Sequence, residues 1–159
     1  MIGPDRFAAR LCEVPLADLE AAGICGLILD LDNTLVCWGG SEIAREHLAW
    51  VEEARVRGFR IVMLSNNFAE RVTEIAAQMN VPFVASACKP LPIGFLRARR
   101  VLGLQRRKIA VVGDQLFTDV LGGRLCGFYT ILTEPLERKD HPVTNVFRFL
   151  ERLILANRR

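Results

Sequence analysis

Ile24-Cys25-Gly26-Leu27-Ile28-Leu29-Asp30-Leu31-Asp32-Asn33-Thr34 sets a short apolar run directly against two aspartates. A run this apolar, with no polar residue alternating through it, reads as a strand covered on both faces. One aspartate at the exit of such a strand is commonly a turn former or the cap of the next helix. Two of them, one residue apart in extended chain, point the same way and can face one ligand. The rest of the chain decides which reading holds.

Four more runs of this kind follow, at residues 61–64, 83–85, 109–112 and 128–132. Helical patterns alternate with them, at 41–57, 68–79, 92–102, 116–126 and, closing the chain, 145–156. Gly58, Asn80 and Gly103 stand where three of these helices should stop. Strand–helix alternation repeated this often predicts an α/β fold of three layers around a mostly parallel five-stranded sheet. The 159 residues suit one domain. We divide it into an N-terminal extension (1–23), a catalytic core (24–133) and a C-terminal helix (144–159). Right-handed crossovers bring every strand exit to one edge of the sheet, where open α/β sheets bind ligands.

Composition removes other classes. Half the residues are hydrophobic and a quarter charged, an ordinary globular mixture. A net charge of +3 is too small to argue for nucleic acid, and none is expected as a partner. The five cysteines are scattered with no C-x-x-C pair, and two histidines are too few to complete a zinc site with them. The start of the chain lacks the pattern of a signal peptide, and no apolar run is long enough to span a bilayer, so a cytoplasmic location is expected.

The strand exits carry a consistent chemistry. Asp30 and Asp32 follow the first run, and Ser65-Asn66-Asn67 the second. Lys89-Pro90 follows the third, and Gly113-Asp114 the fourth, with Asp119 five residues on. Singly, each has a plain structural explanation: Ser65 can cap the next helix, Lys89 can be a surface lysine, and Gly-Asp is a common turn pair. Together they are the groups phosphoryl transfer needs. A carboxylate can attack phosphorus. A hydroxyl and an ammonium can bind the oxygens on which charge sits. Magnesium, which prefers carboxylate and carbonyl oxygens, offsets the repulsion between anionic nucleophile and anionic substrate. A second carboxylate can protonate the leaving oxygen.

In order, these segments resemble the four motifs of the haloacid dehalogenase (HAD) superfamily: Asp30-Leu31-Asp32-Asn33-Thr34, Ser65, Lys89, and Gly113 through Asp119. The strings Leu64-Ser65-Asn66-Asn67, Lys89-Pro90-Leu91-Pro92 and Tyr129-Thr130-Ile131-Leu132 are similar to one subgroup, the YqeG-type HAD IIIA phosphatases, whose eukaryotic relatives are phosphatidylglycerophosphate phosphatases. Two segments depart from that pattern. Arg124 stands where Asn is expected, and residues 134–142 are unusually charged. Both are candidates for the rim of the site, where they would bear on substrate choice.

The resemblance implies a Rossmann-like fold and a role for each residue. Asp30 is the nucleophile, and Asp32 the general acid and then the general base. Asp30, the Asp32 carbonyl and Asp114 hold Mg²⁺. Ser65, Asn66 and Lys89 bind the phosphoryl group. Thr34 braces the loop, and Asp119 stands behind the ligands and places Lys89. The substrate class implied is a phosphorylated compound, with a membrane phospholipid such as phosphatidylglycerophosphate foremost.

The intervals at 36–59 and 67–89 are too short to host a folded cap domain, so an open site is expected. The C-terminal segment mixes Phe147, Phe149 and Leu150 with Arg148 and Arg152. It reads first as a helix packed on the sheet. Its second reading is a basic amphipathic helix in peripheral contact with the inner membrane face. Two alternatives stay open for function: a soluble small-metabolite or nucleotide phosphatase, and a non-catalytic module that only accepts phosphate at Asp30.

Overall fold

The computed structural model describes residues 3–137, so the C-terminal helix expected at 144–159 lies outside the described residues. Six strands form one sheet: β1 (Arg6–Ala8), β2 (Gly26–Leu29), β3 (Arg60–Leu64), β4 (Phe83–Val84), β5 (Ile109–Gly113) and β6 (Tyr129–Thr133). Their spatial order is β1-β6-β5-β2-β3-β4, and every neighbouring pair is parallel. The helices are α1 (Leu16–Ala21), α2 (Arg45–Val56), α3 (Ala69–Met79), α4 (Pro92–Leu102) and α5 (Leu121–Leu125).

Period-two alternation along the buried strands feeds two cores. Leu27 and Leu29 of β2 face one layer with Trp50, Val51, Val72 and Ile75 from α2 and α3. Ile28 faces the other with Phe95, Ala98 and Leu102 from α4. Each large side chain buried here contributes about 1.5–3 kcal/mol by leaving water. Asn80 (φ 51°) and Gly103 (φ 65°) close α3 and α4 in left-handed conformation, at the stops expected from the sequence.

The chain runs from β2 outward through β3 to β4, then crosses back to β5 on the other side of β2. The direction of winding therefore reverses at β2. A crevice opens at such a reversal, beyond the strands' carboxyl ends. Asp30 leaves β2 there and Asp114 leaves the adjacent β5. Asp30 N–H still donates to Val112 O at 2.9 Å, continuing the ladder.

The sequence expectation needs two corrections and one refinement. The sheet has six strands, not five, because residues 1–23 contribute β1 as well as α1. β1 is three residues long and half-exposed on the sheet edge, too short to show a pattern. Its place is fixed from Asp5, whose Oδ2 accepts from Thr130 N at 2.8 Å and Thr130 Oγ1 at 3.0 Å.

The stretch expected at 116–126 is helical, though not uniformly so. Leu116–Val120 is a π-helical turn that leads into α5. The glycines of α5 are a packing device, since a Cβ on Gly122 would fall 2.2 Å from the Phe95 ring.

Arg124 is not at the rim of the site. Its Nη1 donates to Gly3 O at 2.5 Å and lies 3.3 Å from Asp5 Oδ1, at the edge where the strands begin. The start of the other departing segment does lie at the site, where Asn33 O accepts from Leu136 N and Asn33 Oδ1 from Glu137 N.

Among the described residues, the β2–β3 connection holds α2, and the β3–β4 connection holds α3. Neither contains a separate domain that could cap the crevice.

Candidate active site

Four strand exits converge in the crevice. Asp30 is buried, and its two oxygens have separate partners. Oδ1 lies 2.5 Å from Lys89 Nζ, and Oδ2 accepts from Thr34 Oγ1 at 3.0 Å. Thr34 Oγ1 also lies 3.4 Å from Asp114 Oδ1. The hydroxyl therefore sits between the carboxylates that follow β2 and β5.

Lys89 is no surface lysine. Its side chain is 5% exposed, and Nζ bridges Asp30 Oδ1 and Asp119 Oδ1, the latter at 2.7 Å. Burial alone would push the ammonium toward losing its proton. The charges of Asp119 and Asp30 outweigh burial, so its pKa is raised and the cation is fixed. Burial raises the pKa of Asp119, and the Asp30 charge adds to this; Lys89 and the Gln115 N–H pull it back. Asp119 Oδ2 accepts that N–H at 3.2 Å. Asp119 lies in the π-helical turn, a distortion that recurs at functional sites.

Ser65 is also buried. Its Oγ accepts from Asn67 N at 3.0 Å and Asn67 Nδ2 at 3.2 Å. Ser65 does not cap α3, which begins after Phe68 with no side-chain cap bond; as acceptor in both bonds, its hydroxyl keeps its own hydrogen to donate. Asn66 differs from expectation. Its side chain grips the Lys89 main chain from both ends, Oδ1 accepting from Lys89 N at 2.7 Å and Nδ2 donating to Lys89 O at 3.3 Å. That amide is a clamp between two loops.

Asp32 reaches toward α3. Its Oδ2 accepts from Asn67 Nδ2, and its Oδ1 pairs with Arg71 Nη2 at 2.7 Å. Leu31, between the two aspartates, is buried in the core. Asn67 and Arg71 were missed from sequence. Asn67 precedes the helix cap Phe68, and Arg71 lies in the first turn of α3. Arg71 left one physical trace, because a cation in a helix's first turn opposes the macrodipole and calls for a compensating anion.

Oxygens from Asp30, Asp114 and Asp119 lie within 4.8 Å of one another, and all three residues are buried. Three carboxylates face one ammonium here, and all the donors are hard oxygens. That set fits a divalent cation of the magnesium type and not a thiophilic metal. Both Asp119 oxygens already have donors, Lys89 Nζ on Oδ1 and the Gln115 N–H on Oδ2, while Asp30 Oδ2 and Asp114 Oδ1 meet at the Thr34 hydroxyl, which makes Asp30 and Asp114 the better-placed ligands. The Asp32 carboxylate is committed elsewhere, so only its main-chain carbonyl is left for the expected metal role.

Residues 36–127 match the family model for haloacid dehalogenase-like hydrolases, a span that includes Ser65, Lys89, Asp114 and Asp119. The "Probable phosphatase YqeG" of Bacillus subtilis is 37% identical over 153 residues, covering 96% of this chain and 89% of that protein. The chain belongs to the haloacid dehalogenase-like hydrolases. "Phosphatidylglycerophosphate phosphatase 1, chloroplastic/mitochondrial" of Arabidopsis thaliana is 28% identical over 148 residues. That match covers 87% of this chain but only 42% of the plant protein, so the chain spans less than half of that relative. Among solved structures, the cobalt-bound deoxy-D-mannose-octulosonate 8-phosphate phosphatase of Haemophilus influenzae superposes with a TM-score of 0.58. It covers 86% of this chain and 90% of that one. At 13% identity this likeness shows the fold alone.

Proposed function

We propose that this haloacid dehalogenase-like phosphatase hydrolyses phosphomonoesters in two displacements through an aspartyl-phosphate at Asp30. The observation that carries the proposal is the buried Asp30–Lys89–Asp119 bridge beside Asp114. It sets a carboxylate against a buried ammonium at the winding reversal of the sheet.

In the first displacement, an Asp30 oxygen bonds to phosphorus and the ester P–O bond breaks. Asp32 gives its proton to the departing oxygen. In the second, water bonds to phosphorus, Asp32 takes its proton, and the bond to Asp30 breaks to release inorganic phosphate. Lys89 binds a phosphoryl oxygen without moving, because Asp119 holds it. Ser65 donates its hydroxyl to another, and the main-chain N–H of Asn66 takes the place expected of its side chain. Asp30, Asp114 and the Asp32 carbonyl would hold Mg²⁺, which when bound supplies positive charge against the phosphate and the nucleophile. Asp32 separates this reading from that of a phosphate-accepting module, which needs no second acid.

For the substrate we infer a phospholipid such as phosphatidylglycerophosphate. The Arabidopsis relative's name supports this reading. So do exposed apolar side chains on the loops and helix starts that follow the strands: Trp38, Phe68 (81% exposed), Leu91 and Ile93. They stand at the edge that carries the aspartates, where an uncapped site meets its substrate. Among the described residues no helix is long and apolar enough to cross a membrane, so lipid would be met at a surface.

The test is turnover of phosphatidylglycerophosphate, sugar phosphates and nucleotides with and without Mg²⁺, beside Asp30→Asn. We expect Mg²⁺-dependent hydrolysis that favours the lipid and disappears in the variant. Activity retained by Asp30→Asn would overturn the mechanism. Faster hydrolysis of sugar phosphates or nucleotides would overturn the lipid assignment alone.

A further inference from the structure

Two cations are ion-paired with the site's aspartates among the described residues, and they differ in kind. Lys89 is buried and held by two carboxylates. Arg71 is 27% exposed and touches the Asp32 carboxylate through Nη2 at 2.7 Å. It sits in the first turn of α3, where its charge opposes the helix dipole. Asp32 is itself more open than Asp30, 22% against 9% exposed. Moving outward from the buried nucleophile, the order is Asp30, then Asp32, then Arg71.

We propose that Arg71 is a specificity residue that recognises a second anionic group on the leaving-group side of the substrate. This rests on the reading that Asp30 and Asp32 flank the transferred phosphoryl group. A leaving oxygen within reach of Asp32 puts the atoms beyond it beside Arg71. A guanidinium offers a planar fork of donors suited to carboxylate or phosphodiester oxygens. In the free protein Asp32 satisfies that fork through a single contact. A substrate anion that takes over Arg71 frees the Asp32 carboxyl to face the leaving oxygen. A substrate without that anion leaves Arg71 on Asp32. Lys89 cannot serve this purpose, because its ammonium is committed to the phosphoryl side.

The experiment compares three soluble substrates. Glycerol 3-phosphate carries no second anion, 3-phosphoglycerate carries a carboxylate, and glycerophosphoglycerol phosphate carries a phosphodiester. The readout is the ratio of kcat/KM for each anionic substrate to that for glycerol 3-phosphate. Such a ratio does not depend on how much of a variant is folded.

Wild type is expected to prefer at least one anionic substrate. Arg71→Ala should lower that preference about tenfold, largely through KM, and Arg71→Lys should retain part of it. Which anion loses its advantage identifies the carboxylate or the phosphodiester as the recognised group. Equal losses on all three substrates would show that Arg71 only positions Asp32, and would overturn the proposal. An unchanged ratio would overturn it as well. If wild type and Asp30→Asn hydrolyse these compounds alike, the phosphatase mechanism itself has failed, a result distinct from an unchanged ratio in an active enzyme.

Discussion

The Asp119 carboxyl occupies the space a side chain at position 113 would need: a Cβ built on Gly113 would fall 2.3 Å from Asp119 Cγ and Oδ2. The glycine that ends β5 is therefore a condition for Lys89 to be held. Gly113→Ala forces Asp119 outward and loosens its bond to Nζ. Overpacking of this kind costs about 1–3 kcal/mol, and a displaced phosphate-binding cation costs about a hundredfold in turnover. Thermal denaturation and steady-state kinetics on the variant should show both losses. Wild-type kcat in Gly113→Ala would mean that the Asp119–Lys89 contact is dispensable.

Lys89→Met removes the cation from between Asp30 and Asp119 and leaves buried carboxylates facing one another. Breaking a buried pair from one side destabilises by about 3–5 kcal/mol. Replacing both partners is milder, because no charge is left stranded. In metal-free buffer, Lys89→Met should unfold at lower urea than Lys89→Met/Asp119→Leu, although both lack activity. The reverse order of stability would refute the uncompensated-charge account.

Divalent metal should bind the folded state through Asp30 and Asp114. A ligand at a hundred times its Kd stabilises by about 2.7 kcal/mol. Millimolar Mg²⁺ should therefore raise the unfolding temperature relative to EDTA, and Asp114→Asn should remove most of that rise. An equal rise in Asp114→Asn would place the binding elsewhere.

His47 predicts a pH dependence independent of catalysis. Its ring is buried on α2, with Nδ1 3.3 Å from Leu35 O and Nε2 without a partner among the described residues. Burial pushes its pKa below the ordinary histidine value of about 6.5; nearby Arg10 acts in the same direction, while the Leu35 carbonyl and Glu46 oppose it. Below about 6.5 the unfolded chain binds a proton there that the folded chain refuses. The His47 contribution is thus intact above that value and is lost as pH falls toward the folded pKa. Between about pH 7.5 and 5.5, wild type should lose more stability in urea titrations than His47→Gln. Parallel curves for the two proteins would contradict this assignment.

The parallel sheet and the converging strand exits were legible because continuous apolar runs and their terminal polar residues are local signals. Asp30, Ser65, Lys89 and Asp114 all stand just beyond such runs. What escaped has physical causes. β1 pairs through three residues, and its neighbour β6 lies more than 120 positions away in the chain. The π-helical turn that carries Asp119 keeps the composition of an ordinary helix. The Asn66 clamp on Lys89 and the Arg71 pair with Asp32 are contacts between separate loops and elements, which spacing along the chain cannot show.

The most direct test is to trap the phosphoryl group on its carrier. Acid quench during turnover, followed by borohydride reduction, converts an acyl-phosphate on aspartate to homoserine, which peptide mass spectrometry can locate. The account predicts homoserine at position 30 in wild type and none in Asp30→Asn. Homoserine at another aspartate during active turnover would contradict it.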